Sequence, residues 1–169
     1  MPMPLIPNIA EFQRKLATFP LATYQADETV LSASSKTGRL LILREGAVAV
    51  LKEGVEIARV TEPGAVFGEL SVLLDQPHSA EVRALEATQF HVADGAVTLR
   101  TDLTAVLYVA TVLAQRLDGA NRALIELKNQ LQAGQPRSVI NKTVEKVEEM
   151  LGVGGASLVY AGYPYDPYA

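Results

Sequence analysis

Near Gly95 the chain changes its hydrophobic period, and that change limits the possible folds more than any other feature. Before it, short apolar runs such as Leu40-Leu41-Ile42-Leu43 and Val48-Ala49-Val50-Leu51 alternate with turn signals at Gly38, Gly46, Gly54, Pro63-Gly64 and Gly68. Strands this short, with a turn about every ten residues, make a sandwich or barrel rather than a parallel sheet. Lys52-Glu53-Gly54, between two such runs, predicts a hairpin. After Gly95, residues Leu103, Val106, Ala110, Leu113, Leu117, Ala120, Leu124, Leu127 and Leu131 recur at strict 3,4 spacing, a heptad seam with every core position apolar. A helix from Asp102 to Gln132 would be about 45 Å long. A small barrel cannot cover all of that stripe, so its far half needs a partner. A second copy of the chain is the simplest one; the alternative is a helix folded back on its own domain. Gly119 lies inside this helix at a cost of about 1 kcal/mol relative to alanine; either it lets another backbone approach closely or it is merely tolerated.

The ends read differently. Asn8 with Glu11 forms a weak capping arrangement ahead of Ile9, Phe12 and Leu16, which predicts a short helix from Ile9 to Ala17. Gly134 and Pro136 break the long helix. Ser138 can cap a second, short helix carrying Ile140, Val144, Val147 and Leu151. Gly152 to Ala169, rich in Gly, Pro and Tyr, is assigned no regular structure.

Composition excludes several functions. With 15 Lys and Arg against 19 Asp and Glu, a net charge of -4 and no basic run, nucleic acid is not an expected partner. No cysteine and only two histidines, His78 and His91, leave no disulfide, thiolate or histidine-rich metal centre. Met1 to Pro7 lacks the basic start of a signal peptide. No apolar run approaches the roughly 20 residues that span a bilayer. The expectation is a cytoplasmic protein without a membrane partner. Glu69 and Asp75 have no nucleophile–base pair beside them, so an enzyme is not expected, nor a cofactor.

The stretch that carries chemistry runs from Phe67 to Ala80, FGELSVLLDQPHSA. It reads as a tight turn, one apolar helical turn, and a proline-led return into a strand. Backbone N–H groups near Gly68 and Leu70 can face an anion. Glu69, acceptor-only when ionised, can hold a diol, and Ser79 adds a hydroxyl. On chemistry alone Glu69 could equally be a charge at a helix start and Ser79 a plain strand residue; the residue types leave both readings open.

This stretch resembles the phosphate-binding cassette of the cyclic-nucleotide-binding domain family, which includes the catabolite activator proteins and the regulatory subunits of protein kinase A. Phe67, Gly68, Glu69, Leu70, Ser71, Pro77, Ser79 and Ala80 fall at the family's spacing. The resemblance extends from about Tyr24 to Leu131. It implies a mainly β fold with flanking helices, a jelly roll (double-stranded β-helix) followed by a long C-terminal dimerisation helix. The implied ligand is of the cyclic AMP or cyclic GMP type, with Glu69 on the ribose 2′-hydroxyl and the Gly68–Leu70 backbone and Ser79 on the cyclic phosphate. Asn121 is the one polar residue of the long helix placed to reach the base, since its neighbour is Ala120.

Three departures qualify that expectation. The cassette arginine is His78, which exchanges a permanent forked charge for a mostly neutral ring; losing a charge-assisted bond of about 1.5–3 kcal/mol would cost tenfold or more in affinity. The Gly-rich turn before Leu40 is replaced by Ser34-Ser35-Lys36-Thr37-Gly38. And no winged helix-turn-helix is expected after the long helix. The chain accordingly divides into an N-terminal helical segment (1–20), a cyclic-nucleotide-binding jelly roll (21–100), a dimerisation helix (101–132) and a short helix with tail (133–169). The function expected is a nucleotide sensor that dimerises and signals to an unknown protein partner. The alternative is a degenerate fold, a dimeric interaction module that binds another ligand or none.

Overall fold

The computed structural model describes residues 9–134 and 136–142. Eight strands form two antiparallel four-stranded sheets. One sheet has the order β1 (Leu21–Tyr24), β8 (Thr88–Asp94), β3 (Arg39–Glu45), β6 (Val66–Phe67). The other runs β2 (Thr29–Leu31), β7 (Glu81–Ala84), β4 (Val48–Lys52), β5 (Val55–Val60). Between β4 and β5 lies the expected hairpin, with Glu53 (φ 52°) and Gly54 (φ 80°) both left-handed, as the right-handed twist of paired strands requires of a two-residue turn. The expected jelly roll followed by a long helix is the fold observed.

The unbroken apolar run of β3 has a specific cause. Leu41 and Leu43 point into the space between the sheets, with Val48, Val50, Phe67, Val82 and Phe90. Leu40 and Ile42 point the other way, into a second core shared with α1 (Ile9–Leu16) and α4 (Leu103–Gln132). Alternating side chains are therefore buried on both faces, and no polar position is left in the centre of the strand. Three layers result, helices on sheet on sheet.

α4 is held on this outer face by Phe12 stacked on Tyr108 (ring centroids 4.1 Å apart) and by the Tyr108 hydroxyl, which donates to the Gly64 carbonyl at 2.7 Å. Its start is fixed by Asp102, which accepts from the N–H groups of Thr104 (3.0 Å) and Ala105 (3.2 Å) and pairs with Lys15 of α1 at 2.6 Å. A further short helix, α3 (Gly95–Thr101), precedes it and meets it at 106°. The change of period near Gly95 marks where this helix begins, but a separate helix ahead of Asp102 was not among the expected elements. α2 (Glu69–Leu74) lies in the cassette. Residues 137–142 are helical; the expected continuation to Leu151, the Tyr-rich tail and Asn8 lie outside the described residues. Among the described residues no single helix is long and apolar enough to cross a membrane.

The long helix differs from expectation in which face it buries. Ala105, Tyr108, Val109, Val112, Arg116, Gly119, Ala120 and Ala123 are the buried positions, a second 3,4 series offset from the leucine seam. Leu103, Leu117, Leu124 and Leu131 stay more than half exposed. The helix folds back on its own domain with one face and leaves most of the seam uncovered. Its small residues Gly119, Ala120 and Ala123 serve that close packing.

Burial alone would raise the Asp102 carboxyl, but hydrogen bonds from Lys15, Ala105 and Thr104 outweigh it and hold its pKa below the ordinary value. A depressed carboxylate stabilises the fold fully above the unfolded pKa of roughly 3.9 and loses that contribution as pH falls through the folded value. Asp102→Ala should lower unfolding stability near neutral pH by about 1–2 kcal/mol in urea denaturation. Asp102→Asn, which keeps the cap and loses the ion pair, should cost less than about 1 kcal/mol.

Candidate ligand-binding site

The cassette takes its shape from Gly68. Its φ of 86° is left-handed, and a Cβ there would run into the Arg39 carbonyl oxygen, so only glycine fits. From this residue the chain turns into α2, which buries Glu69 and Ser71 and turns Leu70, Leu73 and Leu74 outward. The Ser71 hydroxyl donates to the Gln76 carbonyl at 2.6 Å, fastening the return of the chain towards Pro77.

Phe67, Gly68, Glu69, Leu70, Ser71, His78, Ser79 and Ala80 all line one cavity, together with Leu31, Val50, Val66, Val82 and Arg116. Eight of the nine expected site residues are thus brought together. Their roles divide. Phe67 is a core residue, set edge-on to Phe90 with centroids 5.7 Å apart, and shows the cavity only part of itself. Ser71 spends its hydroxyl inside the cassette. Glu69, His78 and Ser79 supply side-chain polar groups to the wall. The ninth residue, Asn121, is exposed and does not line the cavity. The helix turn puts Ala120 on the buried face with Arg116 instead, so this chain does not bring the Asn121 amide to its own site.

Sequence reasoning missed Arg116. It donates from Nη1 to Glu69 Oε1 and from Nη2 to the Val66 carbonyl at 3.1 Å. Both members of the pair are over nine-tenths buried. The Nε of Arg116 is buried without a hydrogen-bond partner. The available signal was an arginine in the series 105, 108, 109, 112, 116, 119, 120, 123, whose other members are apolar or small. That series is visible only once the leucine seam is set aside.

Thr37 was also missed. The Ser34–Gly38 segment docks on the cassette: the Ser34 N–H donates to the His78 carbonyl (2.9 Å), and the His78 N–H donates to the Ser35 carbonyl (2.8 Å). Thr37 Oγ1 lies 3.1 Å from His78 Nε2. His78, only 7% exposed, is therefore fixed along both its backbone and its ring. Lys36 pairs with Asp75 at 2.6 Å at the outer edge of the cassette.

The cavity thus sits in a jelly roll, walled by the cassette and by one arginine of the long helix. Residues 21–100, a little under half of the chain, match the cyclic nucleotide-binding domain family. It is 34% identical over 127 residues to an uncharacterized ABC transporter ATP-binding protein of Mycobacterium tuberculosis, covering 72% of this chain and 33% of that protein. An uncharacterized ABC transporter ATP-binding protein of Mycobacterium bovis is 31% identical over 97 residues, 55% of this chain and 25% of the relative. The chain thus spans a third or less of the length of these relatives. Among solved structures, the Thermus thermophilus catabolite activator protein superposes with a TM-score of 0.56 at 21% identity, over 94% of this chain and 87% of that one. A cyclic nucleotide-binding domain from Methylobacillus flagellatus gives 0.56 at 23% identity, over 64% and 67%. At these identities the superpositions establish the fold.

Breaking a buried pair by removing one partner leaves an uncompensated charge. Arg116→Met should therefore lower unfolding stability by about 3–5 kcal/mol. Adding Glu69→Gln should restore part of the loss, a coupling of about 1 kcal/mol or more in a double-mutant cycle by urea denaturation. Additive effects would mean that the two side chains do not meet.

Proposed function

We propose that this chain is a cyclic-nucleotide sensor, with cyclic AMP or cyclic GMP as ligand, that pairs with a second copy through α4 and signals through protein contacts rather than by catalysis. The convergence of Gly68, Glu69, Leu70, Ser79 and Ala80 on one cavity carries this reading. The glycine turn presents backbone to a phosphate. The Glu69 carboxylate accepts from a ribose hydroxyl, which competes with or joins its bond to Arg116. Leu31, Val50 and Val82 provide apolar wall beside these polar groups, as a site for a small amphipathic ligand requires. Ligand contact at Glu69 would reach α4 through Arg116, so occupancy and helix position are linked. The longer relatives suggest an ATP-binding component of an ABC transporter as the output, either in the same chain or as a separate subunit.

His78 in place of a cassette arginine favours a second reading, a dimeric interaction module that takes another ligand or none. Calorimetric titration with cyclic AMP, cyclic GMP and cyclic di-GMP separates the two. Under the sensor reading one cyclic mononucleotide binds, and its 2′-deoxy analogue binds about tenfold or more weakly, because Glu69 loses a partner worth about 1–3 kcal/mol. Equal affinities would place the ribose away from Glu69. Silence with every nucleotide would favour the second reading.

The dimer has its own test. Leu117 and Leu124 are 63% and 55% exposed and lie on the uncovered seam. Leu117→Asp with Leu124→Asp should give monomers by light scattering, while an unchanged dimer mass would move the interface elsewhere.

A further inference from the structure

Among the described residues three ionisable side chains line the cavity: Glu69, Arg116 and His78. Two of them are already spent on each other. Glu69 and Arg116 are buried, hydrogen-bonded and opposite in sign, so together they add no net charge. Outside the cavity Lys36 and Asp75 cancel in the same way, on exposed side chains. Arg39 meets the cassette through its backbone, its carbonyl against Gly68 and its N–H on Thr37 Oγ1 at 3.3 Å; its side chain is exposed. His91, the other histidine, does not line the cavity. A ligand carrying one negative charge would bring that charge into a neutral, half-closed site. Burying it without a counter-charge is costly, and among the described residues of the wall His78 is the group left to supply one.

The surroundings of His78 suit two protonation states without movement. Its backbone is hydrogen-bonded on both sides, and its ring edge lies beside Gly68. The Thr37 hydroxyl can donate to a neutral Nε2 and can accept from a protonated one at the same 3.1 Å. We propose that His78 takes up a proton from solvent when an anionic ligand enters this cavity, so that ligand affinity is coupled to pH. This rests on the cavity being the nucleotide site. In the free protein, burial pushes the His78 pKa below the ordinary histidine value, and the nearby Glu69 opposes that only in part. The ring is therefore neutral near pH 7, and a phosphate beside it raises its pKa. The complex binds more protons than the free protein, so affinity rises as pH falls between the two pKa values, by at most tenfold per pH unit, and levels off below the free value.

The test is calorimetry with cyclic AMP and cyclic GMP from about pH 8 to about pH 5.5, in pairs of buffers with different ionisation heats. Wild-type protein should bind more tightly at each lower pH, and its binding heat should depend on the buffer by an amount that reports proton uptake. His78→Arg should bind tightly, with a flat pH profile and no uptake. His78→Gln should bind weakly and also show a flat profile. Wild-type binding without uptake and without pH dependence overturns the coupling and leaves the nucleotide site standing. The same holds if His78→Gln keeps the wild-type profile, because the proton then goes elsewhere. A wild type silent with both nucleotides at every pH ends the nucleotide reading and the coupling together, whatever His78→Arg does.

Discussion

The ion pair between Glu69 and Arg116 joins the two parts of this molecule that the sequence presents as separate. Glu69 belongs to the cassette and Arg116 to the long helix, 47 residues apart. A buried pair of this kind contributes little net stability compared with well-packed apolar residues, because both charges must leave water. Its effect is on specificity of arrangement. Arg116 also donates to the Val66 carbonyl, at the end of the strand that leads into Gly68. One side chain therefore fixes α4 to the carboxylate and to the backbone of the cassette together. Any movement of Glu69 toward another partner is felt by the helix.

That coupling depends on the layered core. β3 is buried on both faces, so the inter-sheet core and the helix-facing core share a strand. Tyr108 and Phe12 anchor the first half of α4 against that strand, and Asp102 fixes where the helix begins. The second half is held to the domain through Arg116, Gly119, Ala120 and Ala123.

The cavity differs from the family pattern in its charge. An arginine at position 78 would leave one cation in excess over the Glu69–Arg116 pair. With histidine there, the site is neutral and its charge becomes a function of pH. The Ser34–Gly38 segment, which departs from a glycine-rich turn, is the part that clamps His78. The two departures are next to each other in space.

Sequence alone determined the architecture and most of the cavity wall. The change from short apolar runs to a 3,4 repeat near Gly95 separates strands from helix because side-chain direction alternates in one and turns by 100° per residue in the other. The cassette was legible because its 14 residues resemble a known family pattern at matching spacing, while the residue types alone left the roles of Glu69 and Ser79 open. Partners far apart in the chain were not legible. Arg116 could be recognised as a cavity residue only when the fold placed α4 over the cassette, and Thr37 only when its loop met His78. Periodicity favoured the leucine seam, since leucines dominate any hydrophobic count. The face that packs on the domain is built from alanine, glycine, valine, tyrosine and an arginine, and tertiary structure decided it because close approach of helix to sheet rewards small residues that such a count overlooks.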